Sequence, residues 1–127
     1  MEIAVNTLLW ILQIVLAIAF GLAGFGKLTQ PREKMQERMG WVEDYSPRTI
    51  TLIGTLELLA AIGLILPAAT GILPWLTPLA ALGLVVVMVL AIPVHLRRHE
   101  AAMVVVNVVL ALVAAFVAWQ RFGPNSF

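Results

Sequence analysis

Four runs of apolar residues, each close to the length that crosses a bilayer as a single helix, take up most of this 127-residue chain. They cover residues 5–26, 49–66, 74–94 and 101–119. A helix rising ~1.5 Å per residue needs about 20 residues to span ~30 Å of hydrocarbon. Membrane β-strands are about half as long and alternate strictly between apolar and polar, which these runs do not. Charged residues make up 12% of the chain and hydrophobic ones 61%, whereas a soluble domain carries about 25% charged residues. The expectation is an all-α integral membrane protein, a four-helix bundle forming one domain over residues 1–127. The first run has no basic start and is longer than the core of a cleaved signal peptide, so it reads as a retained span.

The chain contains no cysteine. That excludes a disulfide framework, a CxxC redox pair, a thiolate-held iron–sulfur cluster and a cysteine nucleophile. Any redox role then falls to a bound cofactor or to another subunit. A net charge of +1 without a basic tract gives nucleic acid nothing to bind. The basic residues are placed unevenly. Loop 27–48 holds Lys27, Arg32, Lys34, Arg38 and Arg48, and loop 95–100 holds Arg97 and Arg98, leaving only Arg121 elsewhere. The excess of positive charge predicts that both loops are cytoplasmic and both termini extracytoplasmic, in a cell (inner) membrane.

Within the first loop, "TQPREKMQERMGWVEDYSP" sets Pro31 where a helix begins and Met35 and Met39 one turn apart. This predicts a short amphipathic cytoplasmic helix between the first two spans, lying at the interface with Trp41 and Tyr45 at headgroup level. Trp10, Trp41, Trp75 and Trp119 all fall near span ends, as an aromatic belt requires, and are assigned no chemistry.

One carboxylate interrupts the second span. In "GTLELLAAIGLILP", residues 54–67, every residue but Glu57 is apolar or small. An ionised carboxylate in hydrocarbon is costly unless it finds a partner. Counted along the helices, Glu57 lies about 10 Å inside the cytoplasmic boundary and Asn107 about 9 Å inside it. Lys27 ends the first span and His95 the third. Four polar side chains from four spans therefore converge on one half of the bilayer. Helical phase agrees: Glu57 shares its face with Ile53, Gly54, Ala60 and Ala61, small enough for another helix to approach. Gln13 and Lys27 share a face with Phe20, Ala23 and Gly24, and Leu84, Met88, Ala91 and His95 form one stripe. These residues predict a polar pocket made by Lys27, Glu57, His95 and Asn107. Each also has a purely structural reading. Glu57 and Asn107 would serve as interhelical ties, and Lys27 as an anchor snorkelling to the headgroups. His95 and His99 stand four apart, but without an HExxH pattern no metal site is expected.

Taken in order, "FGLAGFGKL", "GTLELLAAIGLILP", "LPWLTPLAALGLVVVMVLAIPVHLRRHE" and "NVVLALVAAFVAW" resemble the DoxX-like family of small four-helix membrane proteins. The resemblance implies recurrent polar positions at Lys27, Glu57, His95 and Asn107. Members are associated with quinone-linked oxidoreductases, including a membrane subunit of thiosulfate:quinone oxidoreductase, and with a membrane oxidoreductase complex handling oxidative stress. By that resemblance the chain is an accessory subunit of a membrane oxidoreductase. Its pocket takes a quinone or a similar lipophilic ligand, with Glu57 as the proton-exchanging, candidate catalytic group. Two alternatives stand beside it. A distant animal relative is an assembly chaperone for receptor channels, which implies a non-enzymatic assembly factor. A small isomerase or hydrolase would instead use Glu57 as general base. The expected surroundings are lipid and a membrane partner or small lipophilic ligand, with no nucleic acid; a homodimer is compatible with this size.

Overall fold

A computed structural model describes residues 2–127, without the side chains of Glu2 and Arg38. The order is α1 (Glu2–Thr29), α2 (Arg32–Arg38), a 3-10 turn (Gly40–Asp44), α3 (Pro47–Thr70), α4 (Leu76–Arg97) and α5 (Ala101–Phe122), with no strand among the described residues. Helices α1, α3, α4 and α5 are each long and apolar enough to cross a membrane. Their outer faces carry exposed side chains such as Ile18, Leu59, Leu90 and Leu112. Lipid accommodates such a surface and water does not. The chain is an all-helical, multi-pass membrane bundle.

The spans run further than the sequence pattern suggests, and the reasons are local. Pro67 does not close the second span but sits inside α3, which continues to Thr70 and ends on Gly71 in the left-handed region at φ 73°. A proline within a helix leaves the carbonyl four residues earlier without its donor. Here that carbonyl is Gly63 O, and the Thr77 hydroxyl of α4 donates to it at 2.8 Å. At the other end of α3, Ser46 accepts from the Thr49 N–H and Pro47 opens the helix. The third span starts at Leu76 instead of Pro74 and reaches Arg97, so His95 lies within its last turn.

Helix α1 packs along α3 and α4 along α5, α3 leans on α4, and α5 meets α1 over a far smaller contact. Leu9, Leu16, Phe20, Leu64, Leu84, Met88, Ala114 and Val117 fill the centre. At the end of the bundle that carries the chain termini, a polar clasp replaces apolar contact between α1 and α5. Arg121 is buried there and donates from Nε to Gln13 Oε1 at 2.8 Å and from Nη1 to Asn6 Oδ1 at 2.9 Å. Gln13 in turn donates to Leu64 O at 2.8 Å, drawing in α3. The Phe127 ring covers the guanidinium, its centroid 4.1 Å from Cζ.

At the opposite, basic end, α2 and the 3-10 turn fold back beneath the helices. Met35 and Val42 are buried with Ile50 of α3, and Arg32 Nη2 donates to Tyr45 O at 2.8 Å and to Val42 O at 3.3 Å. The methionine stripe of α2 therefore covers protein. Trp41 and Tyr45 meet edge-on, centroids 5.8 Å apart, and both are half-buried. Both sit in or next to the 3-10 turn, which the short loop draws under the bundle.

Candidate functional site

The site begins with two glycines. A Cβ added at Gly24 would fall 2.6 Å from Gly54 O and 2.8 Å from Leu58 N; one at Gly54 would fall 2.8 Å from Lys27 Cβ. At this crossing the backbones of α1 and α3 are in direct contact, which only the absence of side chains permits. Every Cα–Cβ bond leans toward the N-terminus of its own helix. In an antiparallel pair the lean brings side chains together from opposite directions. Lys27, one turn after Gly24, leans into the bundle, while Glu57, one turn after Gly54, leans toward the basic end. Nζ and Oε1 meet at 2.7 Å. At that distance the contact is a charge-assisted ion pair. Glu57 is 3% and Lys27 8% exposed. The Trp41 ring lies 5.7 Å from Nζ, adding a cation–π contact from below.

Around this pair the four spans line a half-open cavity of about 620 Å³. Lys27, Glu57, His95 and Asn107 all line it, so the four residues singled out in the sequence share one space. Phe20, Leu56, Met88, Val106 and Leu110 are among its apolar walls, and Met39, Trp41 and Tyr45 form its floor. Within that space the polar side chains pair selectively. Lys27 turns up to Glu57 instead of snorkelling to the headgroups. His95 does not pair with Glu57; its Nδ1 meets Glu100 Oε1 at 2.9 Å. Asn107 is 3% exposed, and its Nδ2 has no hydrogen-bond partner among the described residues.

Glu100 reaches back to His95 because the chain reverses just before it, where His99 adopts a positive φ of 58°. In the same turn Arg98 donates from Nη1 to Asp44 Oδ2 at 2.9 Å and from Nη2 to Glu43 Oε1 at 3.3 Å. The Asp44 hydrogen bond, reinforced by Glu43, holds the Arg98 guanidinium above its ordinary range. Arg98 thus fastens the 3-10 turn to the α4–α5 connection and closes the floor. The sequence reading missed Glu100, Arg98, Trp41 and Tyr45 as parts of the site. The signal for Arg98, charges of opposite sign in two loops, is visible only once those loops are known to touch. No group of three His, Asp or Glu side chains able to hold a metal occurs among the described residues.

The arrangement offers a polar head compartment joined to an apolar one, a shape suited to a small amphiphile. A family model described as the DoxX-like family matches residues 11–117. The chain belongs to the DoxX-like family. Curated proteins and solved structures give no match. All four polar positions of this DoxX-like protein fall inside the matched stretch, as does the glycine crossing that sets the ion pair.

Proposed function

We propose that this DoxX-like protein binds a lipophilic ligand with a polar headgroup, of which a quinone is the leading candidate, as an accessory subunit of a membrane oxidoreductase. The observation that carries the reading is the cavity itself, an apolar space between membrane-spanning helices with the Lys27–Glu57 pair and Asn107 at one end. The headgroup lies against these residues and the tail among the aliphatic walls. The basic end faces the cytoplasm, on the strength of Lys27, Arg32, Lys34, Arg48, Arg97 and Arg98. Lacking cysteine, the subunit leaves electron transfer to the ligand and to a partner protein.

The small-residue stripes that favoured an assembly factor are used within the molecule, at the α1–α3 crossing. A stand-alone hydrolase would need a nucleophile or activated water, and no Ser, Thr or Cys lines the cavity. The decisive experiment adds a short-chain quinone to the purified protein in nanodiscs and records the difference spectrum. Glu57→Gln, which leaves Lys27 without its counter-ion, should weaken binding about tenfold or more, in line with the loss of a charge-assisted contact. Equal binding by wild type and Glu57→Gln, or no quinone binding at all, would sink the quinone reading.

A further inference from the structure

Resting on that reading, the charges and unpaired atoms of the cavity narrow the headgroup it takes. The buried cation and anion that line it, Lys27 and Glu57, lie in contact and sum to zero whichever of them holds the proton. His95 is likewise matched by Glu100. Arg97 also lines the cavity but is exposed, at the C-terminal end of α4. A charged headgroup lying against Lys27, Glu57 and Asn107 would meet no unmatched opposite charge there, and it would lose its hydration in an apolar space. Two buried polar atoms face this compartment with bonding capacity to spare. They are Asn107 Nδ2, a donor with no partner among the described residues, and Glu57 Oε1, which meets Lys27 Nζ at 2.7 Å and has a second lone pair with which to accept. Asn107 is the second, independent pointer, since an amide nitrogen this deep in a bundle is otherwise an uncompensated desolvation loss.

We propose that the cavity selects an uncharged headgroup offering both a hydrogen-bond acceptor, taken by Asn107 Nδ2, and a donor, taken by Glu57 Oε1. Hydroxyls, hydroquinones and primary amides belong to this class. Anionic and cationic lipids do not. Of a quinone and its hydroquinone, the hydroquinone is the better match, because the quinone has no O–H to give.

Trp41 lines the cavity and supplies the readout. In the full-length protein carrying Trp10→Phe, Trp75→Phe and Trp119→Phe, Trp41 is the remaining indole. Probes with one brominated alkyl chain and different heads quench it when they bind. The heads are a primary amide, a methyl ketone, a sulfonate and a trimethylammonium, the last two charged at every accessible pH. All are compared in nanodiscs at equal mole fraction in lipid, with folding checked by circular dichroism and binding cross-checked by native mass spectrometry. The amide should bind about 5–10-fold more tightly than the ketone, as one net hydrogen bond allows, and about 100-fold more tightly than either charged head. Asn107→Leu should weaken amide and ketone alike by about tenfold. Sulfonate or trimethylammonium binding as tightly as the amide would overturn the selectivity while leaving a lipophilic-ligand pocket standing. Unchanged amide and ketone affinity in Asn107→Leu would do the same. No binding by any probe would overturn both the selectivity and the pocket.

Discussion

Lys27 and Glu57 hold each other in a place where neither is tolerable alone. Removing one member of a buried pair strands the other, a loss of about 3–5 kcal/mol, whereas replacing both with apolar residues of similar volume is close to neutral. Lys27→Met should therefore lower the thermal unfolding midpoint in detergent sharply, and Lys27→Met combined with Glu57→Leu should recover most of the loss. A double variant whose loss equals the sum of the two single losses would mean that the two residues are not energetically coupled. That Glu57 needed a partner was legible in the sequence, because a carboxylate within an apolar run has few alternatives. That Lys27 would be the one was not. Snorkelling and pairing are equally open to a lysine at a span end, and only the glycine contact at Gly24 and Gly54, with the lean it imposes, decides for pairing.

At the scale of elements, the segment from α2 through the 3-10 turn behaves as a floor fastened by Arg98. Its ion pairs with Asp44 and Glu43 are partly exposed, and such pairs are screened by solvent and add little to stability. Arg98→Ala should accordingly leave the unfolding midpoint almost unchanged while raising amide hydrogen exchange in residues 40–45 several-fold. Exchange at the wild-type rate would show that Met35, Val42 and Arg32 hold the segment unaided. The helical stripe of Met35 and Met39 could be read from spacing, but not what it covers. An apolar stripe packs on lipid as readily as on protein. The extension of α3 past Pro67 was hidden for a similar reason, since the hydroxyl that satisfies Gly63 O comes from Thr77 in another helix.

For the whole molecule, the number of spans and the all-helical bundle follow from run length and hydropathy, which depend on no tertiary contact. The four pocket residues were found because depth and phase along a helix are local quantities. Arg121 escaped, since nothing in a lone arginine at a span end reveals that Gln13 and Asn6 will meet it. Orientation is testable directly, because a chain without cysteine accepts single probes. Ser126→Cys should react with an impermeant maleimide on intact cells, and Glu37→Cys only after the membrane is opened. The reverse pattern would invert the topology. The uneven packing of the four helices has one more consequence. With α1 and α5 joined mainly by the clasp at the terminal end, the bundle is built like a clothes-peg, gripped at one tip and free to part at the other. For the proposed ligand, that seam is the expected way in from the leaflet, bringing a hydrophobic molecule upon Asn107 and Lys27 sideways without leaving the oil.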